Sequence, residues 1–447
     1  MTGTDGEPSS HRLSDSLGER PILASIGTVL IDAFDSPPRP VLDTVSPTIP
    51  SPPSILPSAS GASQPSSPVL QSAQQLIPPS IPNRLVTPTA SPAGSGPSTP
   101  QLSLDDVPMP NAEDVYEMLG GGALFALVGA RFWLPPHKLK TLVDRAPEHE
   151  ENDLPAEVEE KLDTLGKDIW VYNRGEGTRM TRARIRYEGD VRFFQPIVKA
   201  PFRTVPQLRA SLLGRAEYLH ISPPYSPENV NDLLVQLREH NNVNGNTLTD
   251  GDDNERWAPK IVFEPTPPSC HPGQREWLEK IIPDIYVLSP NHEELFSFYG
   301  IPKISFSDPE LRPTVERLIH HVLHNIGIWK DGTGIVVVRC GRLGACIGTV
   351  EGGLKWCPAY FEGEQEHRVR DVTGAGNSFL GGFVAGLSVS DNPYEALLYA
   401  TISASFVVEQ FGLPTLTSDD GEERWNDDSP KRRLEDLRQR MSSTLTL

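Results

Sequence analysis

Apolar and polar positions along the chain fall into two regimes, separated by a long stretch that has no period. Residues 21–32 (PILASIGTVLID) form a short β-rich apolar run with Gly27 inside it and Asp32 at its end. Such a run reads as a buried central strand with a functional end. Nothing periodic follows until about residue 104. Beyond that point, apolar runs at 218–221, 260–264, 285–288 and 334–338 each adjoin a helical stretch, which predicts an α/β domain with a parallel sheet. Residues 112–131 have helical spacing interrupted by Gly120, Gly121 and Gly122. Residues 178–194 alternate around a turn at Glu188-Gly189-Asp190, the pattern of a solvent-facing hairpin. Arg179, Arg182, Arg184 and Arg186 recur there, as a charged edge or as phosphate contacts from a lid. The acid-rich stretches 148–161, 246–255 and 418–428 read as solvated loops or helix faces, and the segment from Pro430 as a short charged surface helix.

Composition explains the gap. The 447 residues include 45 prolines, and 17 prolines and 14 serines lie within residues 36–100, where charge is nearly absent. Such a segment buries too little apolar surface to offset the entropy of ordering it. The expected organisation is therefore a flexible N-terminus over 1–19, a first strand of the folded domain over 20–35, and a disordered Pro/Ser-rich insert over 36–103. The domain continues over 104–415, with a lid hairpin at about 170–200, and ends in a charged tail over 416–447. The insert reads first as a tolerated surface insertion, since long loops cost little extra closure entropy, with docking of protein partners or phosphorylation as its functional option.

The formal charge of −19 argues against a nucleic-acid backbone or an anionic membrane surface as partner. No apolar run approaches the ~20 residues that span a bilayer, and the N-terminus lacks the apolar core of a signal peptide. Four cysteines show neither metal-ligand spacing nor the density of a disulfide scaffold. A reduced intracellular protein, cytoplasmic with nuclear residence as an option, is the expectation.

One segment concentrates candidate chemistry: residues 369–383, VRDVTGAGNSFLGGF. A strand ends near Asp371, glycines permit a tight turn, and an apolar helix begins near Ser378. Backbone N–H groups of Gly374, Ala375 and Gly376 at such a helix start converge on one spot, with the positive end of the helix dipole behind them. That is an anion hole for a phosphate, or for charge developing on a transferred phosphoryl group. The P-loop, nucleophile-elbow and zinc-protease motifs are absent, and His320, His321 and His324 lack partners to complete a zinc set.

This segment resembles the C-terminal signature D-T-x-G-A-G-D-x-F of the PfkB, or ribokinase-like, carbohydrate kinase family. Gly27 with Asp32 is similar to its first strand, and the glycines at 120–122 to its substrate-side turn. Residues 289–294 (SPNHEE) resemble its P-N-x-x-E element, residues 336–345 (VVVRCGRLGA) its G-x-x-G turn, and residues 400–414 its closing helix. The strings GGGALFALVGARFWLPP, VFEPTPPSC and DVTGAGNSFLGG look like a fungal subgroup named for the maintenance of a killer phenotype. The resemblance implies a three-layer α/β/α domain with a mostly parallel central sheet and a small β lid. It implies transfer of the ATP γ-phosphate to a hydroxyl of a sugar or related molecule. ATP would contact Gly341, Gly344, Thr373 and Ser405, and Asn291 and Glu294 would place Mg2+ through water. Asp32, Gly121 and Gly122 would face the acceptor. Family members also pair through their lids, so a homodimer is implied as an option.

Two departures qualify that reading. Asn377 stands where the family carries its catalytic Asp, and an amide cannot take the acceptor's proton; general-base help of that kind is worth about 10²–10⁴ in rate. Asn377 also suits a helix N-cap. The Asn that usually follows the family's glycine pair is missing from residues 120–130. Asp371 offers a substitute base or a turn anchor, and Cys270 reads as a loop or buried thiol. A pseudokinase that binds nucleotide or protein partners is the rival expectation.

Overall fold

Gly27 divides the first apolar run into two strands. Its φ of 148° lies where side chains are disfavoured, and a Cβ there would land 2.0 Å from Ser222 Oγ. The chain therefore turns sharply: β1 (Leu23–Ile26) stays in the main sheet and β2 (Leu30–Phe34) departs into a second one. The single strand expected over 20–35 is thus two, and Asp32 belongs to the smaller sheet. The computed structural model describes residues 19–34, 116–188, 191–245 and 256–444, all within one compact unit. The expectations for the 1–19 terminus (Glu19 apart) and for the 36–103 insert lie outside the described residues.

After β3 (Tyr116–Gly120) and α1 (Gly122–Arg131), the chain alternates strand and helix. It runs through β4 (Leu139–Asp144), α2 (Ala156–Leu165), β5 (Trp170–Asn173), β6 (Thr181–Glu188), β7 (Val191–Val198), α3 (Val205–Arg209), β8 (Tyr218–Ile221) and α4 (Pro227–Gly245). It continues through β9 (Lys260–Phe263), α5 (Arg275–Ile281), β10 (Val287–Leu288), α6 (His292–Phe298), α7 (Leu311–His321), β11 (Ile335–Arg339), β12 (Ala345–Thr349) and β13 (Gly353–Cys357). It ends with α8 (Ala375–Ser390), α9 (Pro393–Val407), β14 (Leu416–Asp419), β15 (Glu422–Trp425) and α10 (Pro430–Thr444). The main sheet has the order β13-β12-β11-β10-β9-β8-β1-β4-β5. It is parallel from β11 to β5, and only β12 and β13 run antiparallel.

The runs read as buried strands are β8, β9, β10 and β11. Their apolar character on both faces follows from helices covering both sides. One core cluster joins the sheet to α1, α8 and α9, and the other joins it to α4, α5, α6 and α7. All ten residues of α1 are buried: its first nine carry no charge or polar side chain, and the last, Arg131, is satisfied by Leu165 O and Glu423. Glycines let α1 and α8 approach closely: a methyl on Gly129 would fall 1.9 Å from Ser378 O, and one on Gly381 1.7 Å from Ala126 O.

The second sheet has the order β3-β2-β6-β7, with β2 parallel to β6 and the other pairs antiparallel. Residues 112–131, expected as an interrupted helix, are β3 followed by α1, because the glycines end the strand and open the helix. The hairpin is β6–β7, and β5, inside the expected lid range, is an edge strand of the main sheet. Residues 416–444, expected as a charged tail, form the β14–β15 hairpin and α10 and pack into the unit. Trp425 lies edge-on to Phe132 at 4.6 Å, and Leu434 and Leu437 are buried. Alternating acids and bases hide this apolar face in the sequence. Among the described residues no helix is long and apolar enough to cross a membrane.

Candidate functional site

Because β1, β8, β9, β10 and β11 are parallel, their carboxyl ends open on one edge of the sheet, the usual ligand crevice of such folds. Glu264 follows β9, Asn291 opens α6 three residues after β10, and Arg339 closes β11. The start of α8 lies over these ends. Gly374, at the N-cap, has φ 77°, a left-handed conformation that glycine supplies without strain. Just before it, Thr373 N donates to Asp371 Oδ1 across 2.9 Å. Asp371 is thereby occupied in shaping the turn. Of the first-turn amides of α8, Ala375 N donates to Val372 O at 3.2 Å and so leaves the expected anion hole, and Ser378 N donates to Gly374 O at 2.9 Å, whereas those of Gly376 and Asn377 have no acceptor one turn back within the helix.

Asn377 Nδ2 donates to Glu264 Oε2 at 2.6 Å. Glu264 is buried, and its other oxygen pairs with Arg339 Nη1 at 2.7 Å. His220 Nε2 faces the carboxylate at 3.5 Å, while His220 Nδ1 bonds Ser25 Oγ at 2.9 Å. Burial alone would raise the Glu264 pKa, but Arg339, His220 and Asn377 together outweigh it and hold the carboxyl below its ordinary value. The guanidinium packs against α8 itself: a Cβ on Gly376 would fall 1.8 Å from Arg339 Nη1.

Arg339 also reaches the second expected cluster. Its Nη2 donates to Ser289 O at 3.0 Å and lies 3.5 Å from Glu294 Oε2. Asn291 and Glu294 form a capping box: Glu294 N donates to Asn291 Oδ1 at 2.8 Å, and Asn291 N to Glu294 Oε2 at 2.7 Å. Burial pushes the Glu294 carboxyl up to about 7 despite the opposing pull of Arg339. Direct coordination of Mg2+ by this pair, as distinct from the water-mediated placement expected, does not fit the arrangement. The Asn291 oxygen is committed to a backbone N–H, and Glu294 Oε2 is shared between a second N–H and the guanidinium. A divalent ion ~4 Å from that guanidinium would meet roughly 8 kcal/mol of repulsion at an effective dielectric of about 20.

On the acceptor side, α1 begins beside Asn377. A methyl on Gly122 would fall 2.7 Å from Ser222 Oγ and 3.1 Å from Asn377 Nδ2. Thr28 caps this helix: its Oγ1 accepts from Gly122 N at 3.0 Å and its carbonyl from Ala123 N at 3.0 Å. Gly121, with φ 111°, sits against the same carbonyl. Gly121 and Gly122 thus supply close approach, with the Gly122 N–H already committed to Thr28. Asp32 is buried above Gly120, opposite Met118 on β3 and Ala183 on β6.

Gly341 and Gly344 flank a tight turn after β11 with φ of 52° and 85°, and a Cβ on Gly344 would fall 1.9 Å from Cys357 O. Ser405 stands apart from this cluster. Its hydroxyl donates to Ile402 O at 2.6 Å and accepts from Arg433 Nη1 of α10 at 3.0 Å. Cys270 is half-buried with its thiol donating to Thr266 O at 3.3 Å, and burial pushes its pKa up. Arg182 pairs with Glu117 on the lid, and Arg179 with Glu150.

Two central residues, Glu264 and Arg339, escaped the sequence reading. The only signal was an acid and a base, each placed directly after an apolar strand.

Residues 203–419 match the family described as pfkB family carbohydrate kinase. An uncharacterised protein of Schizosaccharomyces pombe is 28% identical over 363 residues, covering 77% of this chain and 93% of its own. Protein MAK32 of Saccharomyces cerevisiae is 28% identical over 316 residues, covering 66% of this chain and 78% of its own, so both of these relatives are fungal. Among solved structures, ribokinase from Giardia lamblia superimposes with a TM-score of 0.54 at 14% identity, covering 95% of this chain and all of its own (100%). Adenosine kinase from Schistosoma mansoni, in complex with 2-fluoroadenosine, gives 0.52 at 11% identity, covering 90% and 99%.

Proposed function

We propose, from the match of residues 203–419 to the pfkB family carbohydrate kinase description and from the ribokinase-like fold, that this chain is an ATP-dependent phosphotransferase acting on a hydroxyl of a sugar, nucleoside or related small molecule. In this reading the nucleotide lies along the Gly341–Gly344 turn with its phosphates toward the start of α8. The acceptor lies between Asp32 and Asn377. The observation that carries the reading is the convergence of three elements: the open first turn of α8, the start of α1 within contact of Asn377, and the carboxyl ends of β9 and β11. Acceptor and anion sites then share one wall, as in-line transfer requires.

Asn377 sets the chemistry. With Nδ2 engaged by Glu264, its Oδ1 is the amide's remaining polar atom and accepts a hydrogen bond from the acceptor hydroxyl. It orients that oxygen without removing its proton. Phosphoryl transfer through a loose transition state depends mainly on positioning and charge, so loss of the base predicts slow turnover, about 10²–10⁴ below an ordinary kinase. The test is ATP turnover by the purified full chain across a panel of sugars and nucleosides. Phosphorylated product above the uncatalysed background supports the reading; binding of nucleotide with no product from any acceptor removes it.

The Asn377–Glu264 contact favours a second reading. A site whose amide is tied to a buried carboxylate suits a nucleotide-binding pseudokinase that acts through protein partners. Nucleotide binding without turnover supports that alternative.

A further inference from the structure

The cation at the centre of this site belongs to the protein. Arg339 touches three elements, one of them the start of α8, toward which the phosphates point in the reading above. It lies against the backbone of Gly376 in the first turn of α8, it pairs with Glu264 after β9 at 2.7 Å, and it stands 3.5 Å from Glu294 at the start of α6. A guanidinium at a helix N-terminus opposes the helix dipole, so its position is sustained by the two acids and by Ser289 O. Its Nε is buried and has no acceptor. A buried donor left unmatched costs free energy, and this one sits within a cluster that the proposed phosphates would adjoin. The planar fork of arginine suits phosphate oxygens, and its charge is permanent. Two of the oxygens that would organise a divalent ion, Asn291 Oδ1 and Glu294 Oε2, already accept from backbone N–H groups, and Oε2 also faces this side chain.

We propose that Arg339 takes the place of a divalent cation at this site, so that a nucleoside polyphosphate binds there without metal and the carboxylates Glu264 and Glu294 hold no ion. The inference rests on the nucleotide reading for its ligand, but its metal half stands alone. Arg339 is a binding residue in this scheme, and its substitution exchanges one cation for another. Arg339→Gln removes the charge beside two buried acids, which opens a place for a small divalent ion. Arg339→Lys keeps the charge and loses the fork.

Two measurements on the full chain test it. Calorimetry with ADP and ATP is run in excess EDTA and in excess Mg2+, and Mn2+ binding without nucleotide is followed by electron paramagnetic resonance. For the wild-type protein, nucleotide affinity is expected to agree within about threefold in EDTA and Mg2+, with no tightly bound Mn2+. Arg339→Gln is expected to lose tenfold or more in EDTA and to regain affinity in Mg2+, with a new Mn2+ site. Circular dichroism melting establishes that the variant is folded; if it is not, Arg339→Lys carries the comparison, with an intermediate loss expected. Nucleotide binding by wild type only in Mg2+, or tight Mn2+ binding by wild type, overturns the proposal. Failure of nucleotide to bind under either condition overturns the nucleotide reading along with it. That outcome differs from metal-dependent binding, which overturns the arginine alone.

Discussion

Asn377 at the start of α8 donates its side-chain amide to Glu264 after β9 across 2.6 Å. The contact joins two segments 113 residues apart in the chain, and it makes the two side chains interdependent. A carboxylate already sits beside position 377, fully buried and neutralised by Arg339. Restoring an acid at 377 therefore introduces a second negative charge beside the first, in place of a hydrogen bond.

Asn377→Asp is accordingly expected to be a poor repair. It loses the donor to Glu264 and sets two carboxylates in contact, a change of about 1–3 kcal/mol in stability. The new Asp has its folded pKa raised above the unfolded value, so the folded state holds the extra proton. The loss is small below the unfolded Asp value and grows as pH rises toward the folded one. Urea denaturation at pH 5 and pH 8 should show the larger deficit at pH 8. Asn377→Asp/Glu264→Gln should recover most of it. An Asn377→Asp protein as stable as wild type at pH 8 would show that the two side chains are independent.

Two glycines on α1 predict opposite kinds of damage. A methyl on Gly129 meets a backbone carbonyl, Ser378 O, at 1.9 Å, and neither helix can yield without moving the other. Gly129→Ala should destabilise by roughly 1–3 kcal/mol or more through overpacking. A methyl on Gly122 meets side chains instead, Ser222 Oγ and Asn377 Nδ2. The two polar tips can turn aside, and Ser222 Cβ at 3.0 Å needs only a small shift. Gly122→Ala should leave the urea midpoint within a small shift while displacing Asn377, raising KM for the acceptor with little change in nucleotide affinity. Equal loss of stability in both variants would contradict this division.

The sheet was legible because its strands are apolar on both faces and short enough to stand out between helical stretches. β8, β9 and β11 lie where the pattern places them. The glycine-rich turn into α8 was legible because a left-handed residue at 374 admits few alternatives to glycine. Arg339 and Glu264 were not, since their meaning lies in a pairing between strand ends far apart in sequence. Nor was the role of α10: its alternating acids and bases look solvated, yet Arg433 points inward and Leu434 and Leu437 are buried. Gly27 was seen, but its consequence, a change of sheet between β1 and β2, depends on where Ser222 stands.

The thiols should be inert. Burial pushes Cys340 up to about 12 and Cys357 up to about 11, and raises Cys270 and Cys346 as well. Since thiolate is the reacting form, a disulfide reagent at pH 8 should titrate less than one thiol per folded chain within minutes. All four should react in denaturant. Rapid labelling of Cys270 in the folded protein would mark it as an activated thiol.

Arg433 separates a structural from a binding role for Ser405. Its Nη2 meets Glu409 Oε2 at 2.6 Å, its Nε meets Asp428 Oδ2 at 2.8 Å, and its Nη1 donates to Ser405 Oγ. The guanidinium also lies 3.7 Å from the centre of the Phe406 ring. Burial would raise the Asp428 pKa, but hydrogen bonds from Arg432, Arg433 and Ser429 N hold the carboxyl well below its usual range. Its stabilising contribution is thus present above the unfolded Asp value and is lost only in strong acid. Arg433→Ala takes the buried partner from two carboxylates that keep other partners, Arg432 on Asp428 and Arg368 on Glu409, and should cost about 1–3 kcal/mol, read as a lower urea midpoint. Ser405→Ala removes one hydroxyl and should cost about 1 kcal/mol. If Ser405 serves only to seat α10, nucleotide affinity in Ser405→Ala matches wild type. A tenfold loss of affinity in that variant would instead place Ser405 at the nucleotide.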